Sequence, residues 1–176
     1  LKSAFGKAVV WEYTAVNPIL GATLPEQKSV KRDAWSDEEA IQALNACENP
    51  VLQTAMYLAL GCSMRLGEIL GLQWGQVHME DDLVSSGEAY LKIDRELRRC
   101  SNDSIEALEQ VQRSTVMFKF PVIMPKKCTT TLVLKAPKTE SSNRTVYLPM
   151  AVVHELQRVQ KRQEEYKLLL GDEYRD

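Results

Sequence analysis

Histidine and paired cysteine are what this sequence most plainly lacks. Its two histidines, His78 and His154, stand far apart, and Cys47, Cys62, Cys100 and Cys128 form no C-x-x-C. That usage argues against a zinc site, so no metal is expected. Four scattered thiols fit a reducing cytosol, and a cytoplasmic location is expected. No apolar run approaches the roughly 20 residues of a membrane span, and no signal-peptide pattern opens the chain. No membrane partner is therefore expected. The first residue is Leu1 rather than methionine, as at a cut or processed end. Neither G-x-x-x-x-G-K-[ST] nor G-x-G-x-x-G occurs, and Gly61 to Gly67 has the wrong residues for a phosphate loop, which argues against a small-molecule phosphate enzyme. Internal repeats and low-complexity tracts are absent too. Net charge is small, −2 with a pI near 5.8, so the protein does not coat nucleic acid by bulk charge. Any DNA binding must use a local basic surface.

What is present suits a globular chain. At 176 residues, with 44% apolar and 26% charged side chains, it fits one domain, or one domain with a short extra segment. Ala8 to Ala15 reads as the end of a helix stopped by Asn17-Pro18, because the residue before proline avoids helical geometry. Gly21 to Ser29, with Pro25, reads as a linker. Ser36 to Glu39 has the form of a capping box, opening a helix to about Glu48 with Ile41 and Leu44 inward. Asn49-Pro50 breaks that helix and opens another, Pro50 to Leu60. Then comes Ala59 to Trp74, ALGCSMRLGEILGLQW, around which the rest of the chain is arranged. Gly61 relaxes the backbone, Ser63 is placed to cap a further helix, and Ile69 and Leu70 recur at helical spacing from Leu66.

Downstream, Gln76 to Val84 reads as a turn into a short strand, bent at Glu80, Asp81 and Asp82. Ala89 to Leu97 alternates, with Leu91, Ile93 and Leu97 on one side. Ser101 to Val111 holds a short polar helix, and Val116 to Ile123 another strand, with Pro121 near an edge. Thr130 to Ala136 and Arg144 to Leu148 read as two strands of a β-hairpin across Pro137 to Asn143. Met150 to Leu170 closes as a helix, with Val152, Leu156, Val159 and Tyr166 on one stripe. Helices, then a small antiparallel sheet, then a helix predict an α+β fold.

Two clusters carry chemistry. Arg65 and Glu68 share one side of a helix start between apolar segments. That pair is open to two readings. One is a surface i,i+3 ion pair, which is common and weak. The other is a guanidinium held by a carboxylate and aimed at an anion, a phosphate above all, for which its planar fork is suited. The second cluster is the run from Arg113 to Arg144. It holds seven basic residues, Arg113, Lys119, Lys126, Lys127, Lys135, Lys138 and Arg144, against the single acid Glu140. Lysines on a strand edge can serve only to discourage pairing, but an excess this one-sided favours a nucleic-acid surface.

GCSMRLGEILGLQW resembles the first arginine motif of the tyrosine recombinases, the phage and conjugative-transposon integrase family, written T-G-x-R-x-x-E-[LI]-x-x-L-x-W. Gly61, Arg65, Glu68, Ile69, Leu72 and Trp74 fill it. Cys62, Ser63 and Met64 stand between Gly61 and Arg65 where the family has a shorter step. LKAPKTESSNRTVYLP is similar to the family's β-hairpin, with Lys138 at the position of its catalytic lysine and Arg144 on the return strand. Lys135 is the rival for the lysine's role.

The resemblance implies a site-specific recombinase that breaks and rejoins DNA strands through a 3′-phosphotyrosyl intermediate, with no metal and no nucleotide cofactor. It implies that Arg65 binds the scissile phosphate, Lys138 protonates the departing 5′-oxygen, and Glu68 supports Arg65. Lys126, Lys127, Lys135 and Arg144 are the expected DNA contacts, with Arg144 either structural or phosphate-contacting. The expected partners are double-stranded DNA at a recombination site and other integrase protomers. Residues 1–30 would be the end of a core-binding domain and its linker, and 31–176 the N-terminal part of the catalytic domain. The family's later His-x-x-Arg motif and nucleophilic tyrosine have no counterpart. Neither histidine is followed three residues on by arginine, Tyr174 comes too early, and Tyr57 reads as core. A fragment inactive on its own is therefore expected. The alternative is a non-catalytic DNA-binding or interaction domain of the same fold.

Overall fold

The computed structural model describes residues 1–23, 33–110, 115–122, 128–137 and 142–174. They fall into two compact units, Leu1–Ala34 and Trp35–Asp176.

The first unit carries helix α1 (Lys2–Val10). The helix ends well ahead of Asn17-Pro18, against the expectation that it continues toward Ala15. Glu12 takes a positive φ of 59°, which no right-handed helix can continue. Asn17 instead ties the following turn back, its Nδ2 donating to the Lys2 carbonyl at 3.0 Å. The expected linker lies mostly outside the described residues.

The second unit begins with α2 (Asp37–Ala46), capped as the sequence predicts. Ser36 Oγ accepts from the Glu39 amide, and Glu39 returns a carboxylate to the Ser36 amide. Ile41 does not point inward, however, and is 58% exposed. Helix α3 (Pro50–Cys62) follows, with Asn49 Oδ1 accepting from the amides of Val51 and Leu52. A short helix α4 (Leu66–Leu70) and a 3-10 turn at Trp74–Gln76 lead into strand β1 (Val77–His78). The acids at 80–82 open a helix, α5 (Asp81–Ser86), and not the bend of a strand; Asp81 and Asp82 sit in its first turn, where the helix dipole favours negative charge.

The predicted strand Ala89 to Leu97 is broken at Asp94-Arg95 into β2 (Tyr90–Ile93) and β3 (Glu96–Ser101). Helix α6 (Asn102–Gln110), strands β4 (Val116–Lys119), β5 (Thr130–Lys135) and β6 (Arg144–Tyr147), and helix α7 (Met150–Leu170) complete the unit. The architecture is α+β, but among the described residues there are two antiparallel sheets in place of one: β1-β2-β6 and β3-β5-β4. The predicted hairpin is corrected by this pairing. β5 lies between β3 and β4, whereas β6 pairs with β2, Ile93 opposite Arg144.

The main core joins α3, β2 and α7. Leu58, Cys62 and Met64 cluster with Leu91 and Ile93 and with Val152, Val153 and Leu156. Full burial of such side chains contributes roughly 1.5–3 kcal/mol each. Of the stripe predicted on α7, Val152 and Leu156 are buried while Tyr166 remains 49% exposed. Glu155 is buried beside them, and its carboxylate accepts from Thr54 Oγ1 at 2.7 Å and Arg158 Nη1 at 2.9 Å. That pairing removes most of the cost of a buried charge.

Two glycines set the distance between α4 and β3. A Cβ on Gly71 would stand 2.8 Å from the Leu97 nitrogen, and one on Gly67 would stand 3.1 Å from the Leu97 carbonyl oxygen. At positions i and i+4 they share one face of α4, and only their bare Cα atoms allow the helix this close to the strand.

Candidate functional site

The site begins with a backbone reversal. Ser63 ends α3 in the left-handed region (φ 50°, ψ 37°), and the amide of the next residue, Met64, donates to the Leu58 carbonyl at 3.5 Å. Ser63 is therefore the C-terminal cap of α3, not the expected N-terminal cap of α4. A residue with a Cβ is disfavoured there by about 1 kcal/mol. The reversal buries Met64 and delivers Arg65 to the start of α4, in extended backbone (φ −75°, ψ 152°).

Glu68 lies one turn on, 3% exposed. Its Oε2 accepts from the Arg65 amide at 2.9 Å, satisfying one of the orphan donors of the helix start. Its Oε1 accepts from Arg65 Nη1 at 3.0 Å. From the other sheet edge of the core, Arg144 places a planar fork on the same carboxylate, Nη1 to Oε1 at 3.0 Å and Nη2 to Oε2 at 2.8 Å. Arg144 Nη2 also reaches the Ser63 carbonyl at 3.4 Å. The hydrogen bonds from Arg144 are the largest cause of a depressed Glu68 pKa, which falls from 4.5 to about 2 against the opposing pull of burial. Glu68 in turn raises the already high pKa of Arg144.

The two arginines differ in exposure. The Arg144 side chain is 30% exposed, whereas that of Arg65 is 72% exposed. Among the described residues the Arg65 side chain donates only through Nη1, so Nη2 and Nε have no hydrogen-bond partner there. A guanidinium fixed along one edge and open along the other can take an anion on the open edge.

The basic stretch is placed only in part. Lys126, Lys127 and Lys138 lie outside the described residues. Lys135 is on β5 with its Nζ 3.2 Å from Glu96, its side chain 15% exposed. Lys119 pairs with Glu109 at 2.7 Å. So Lys119, Lys135 and Arg144 each sit against a carboxylate supplied from outside that stretch, which charge counting along the chain does not reveal. Sequence reasoning also missed the partnership of Arg144 with Glu68. The fold brings together Arg65, Glu68 and Arg144, and leaves Lys135 in a separate ion pair on the second sheet.

Among the described residues no group of three or more His, Cys, Asp or Glu is placed to hold a metal ion, and no helix is long and apolar enough to cross a membrane.

No family model and no solved structure matches the sequence. Among curated proteins, the chain is similar to a protein described as "Tyrosine recombinase XerC-like" from Caldanaerobacter subterraneus subsp. tengcongensis. The two are 31% identical over 186 residues, a match spanning 99% of this chain and 39% of that protein. The chain thus spans about two-fifths of the length of the curated relative it matches.

Proposed function

We propose, from a likeness that supports the tyrosine recombinase family and no subtype within it, that this chain is part of a site-specific recombinase and binds duplex DNA. The observation that carries the reading is Arg65, anchored along one edge by buried Glu68 and open along the other. On this reading a DNA phosphate oxygen pair takes the open edge. In the whole protein the same contact stabilises charge on the phosphate as it passes through a five-coordinate transition state. Lys138 is the proposed general acid for the leaving 5′-oxygen. The tyrosine that would form the 3′-phosphotyrosyl bond is not assigned to any residue of this chain. Lys126, Lys127 and Lys135 are the proposed contacts along the DNA backbone, and other recombinase protomers the proposed partners on it.

The test is duplex binding by the 176-residue chain across a salt series, with Arg65→Ala and Lys138→Ala beside the parent. Each lost phosphate contact is expected to reduce the slope of log K against log salt by about 0.9. Identical, salt-independent behaviour from all three would remove the DNA reading. Strand cleavage is not expected from this chain alone.

A further inference from the structure

Arg144 presents a problem that the proposed DNA contact at Arg65 does not solve. Glu68 is close enough to Arg65 to cancel its charge: one carboxylate and one guanidinium at 3.0 Å form a neutral pair. A neutral pair attracts a phosphate weakly, because the carboxylate repels what the guanidinium draws in. The structure supplies a second guanidinium on the same carboxylate. Arg144 holds both of its oxygens, at 3.0 and 2.8 Å, and it comes from β6, in an ion pair less exposed than that of Arg65.

We infer that Arg144 is a positioning residue which offsets the charge of Glu68, so that the cluster around Arg65 carries a net positive charge toward the phosphate. Two guanidiniums and one carboxylate leave a single positive charge, and the open edge of Arg65 is where it meets solvent. Glu68 then does two things at once: it orients Arg65 through its side chain and its amide, and it binds β6 to the start of α4. Arg144 need not touch DNA to matter for DNA binding. Both of its terminal nitrogens are directed at Glu68, with Ser63 and Ser142 carbonyls as further acceptors at 3.4 Å. This inference rests on the proposed phosphate contact at Arg65.

The two possible roles of Arg144 make opposite predictions for a double substitution. In Arg144→Gln, Glu68 cancels Arg65, and duplex affinity at low salt is expected to fall about tenfold, with the salt slope lower by about 0.9. Adding Glu68→Gln removes the cancelling charge, while the side-chain amide oxygen it introduces can still accept from Arg65. In Arg144→Gln/Glu68→Gln, affinity is expected to recover to within about threefold of the parent, with the parent's salt slope restored. Arg144→Lys keeps the charge without the fork and is expected to retain most of the affinity.

A double variant as weak as Arg144→Gln, with the reduced slope, would overturn the inference, because it would mean that Arg144 itself contacts a phosphate. The double variant also decides the case if the single one does not fold, since it leaves no unpaired buried carboxylate. Failure of the underlying reading looks different: the parent would show no salt-dependent duplex binding, or Arg65→Ala would leave it unchanged.

Discussion

Arg144 and Glu68, 76 residues apart, meet through two parallel hydrogen bonds of 3.0 and 2.8 Å. This fork joins the first strand residue of β6 to the first turn of α4, and it makes a nearly fully buried carboxylate an ion at any ordinary pH.

Acid should expose that dependence. The Glu68 pKa is depressed in the folded protein, from 4.5 to about 2, so its contribution to stability is fully present above pH 4.5. It is lost as the pH falls from there toward 2, and the linkage amounts to ~3 kcal/mol. Urea denaturation of the parent and of Glu68→Gln at pH 7 and pH 3 checks this. The parent should lose the larger share of its stability between the two pH values, and an equal loss in both proteins would refute the assignment.

Arg65 is expected to behave in the opposite way. Its side chain is 72% exposed and supports no part of the core. Arg65→Ala should leave the thermal midpoint within a few degrees of the parent while reducing duplex binding and its salt slope by about one phosphate contact. Thermal melting followed by circular dichroism, run beside the binding series, separates the two effects.

Close approach of α4 to β3 should make Gly71 intolerant of a methyl group. Gly71→Ala would set a carbon 2.8 Å from the Leu97 backbone nitrogen and 3.0 Å from the Glu96 carbonyl carbon. Overpacking of this kind costs roughly 1–3 kcal/mol. Gly75→Ala, where nothing lies within 4 Å, is the matched control and should change stability little. Equal effects from the two substitutions in chemical denaturation would contradict the packing described for α4.

Ser63 should accept glycine with a gain. Its φ of 50° is one that a side chain disfavours. Ser63→Gly is expected to raise stability by up to about 1 kcal/mol, after the larger entropy of glycine in the unfolded chain is subtracted. A loss of stability, measured by urea midpoint, would mean that the serine side chain contributes more than its backbone conformation costs.

Local elements are legible in the sequence because their causes are local. Ser36 with Glu39 signals a helix start through bonds made within three residues, and that capping box forms as read; Asn49-Pro50 marks a second start, where the Asn49 side chain supplies a cap that the reading did not name. Alternation marks β5 and β6 as strands, and the order of helices and strands marks the α+β class. Ile41 is exposed against expectation because helical spacing states which residues share a face and not which face is covered. The acids at 80–82 open a helix against expectation because the same residues serve a bend and a helix start.

Tertiary structure decided what depends on residues distant in the chain. Which strand pairs with which is set by register across the sheet, so nothing within 130–147 could show that β5 and β6 enter different sheets. Nor could counting charges from 113 to 144 show that Glu68, Glu96 and Glu109, all from outside that window, sit on Arg144, Lys135 and Lys119. An ion pair forms where side chains meet in space, and folding brings Arg144 onto Glu68. The sequence by itself marked Arg65 and Glu68 as a unit, since one helical turn joins them; only the fold added the second guanidinium on the same carboxylate.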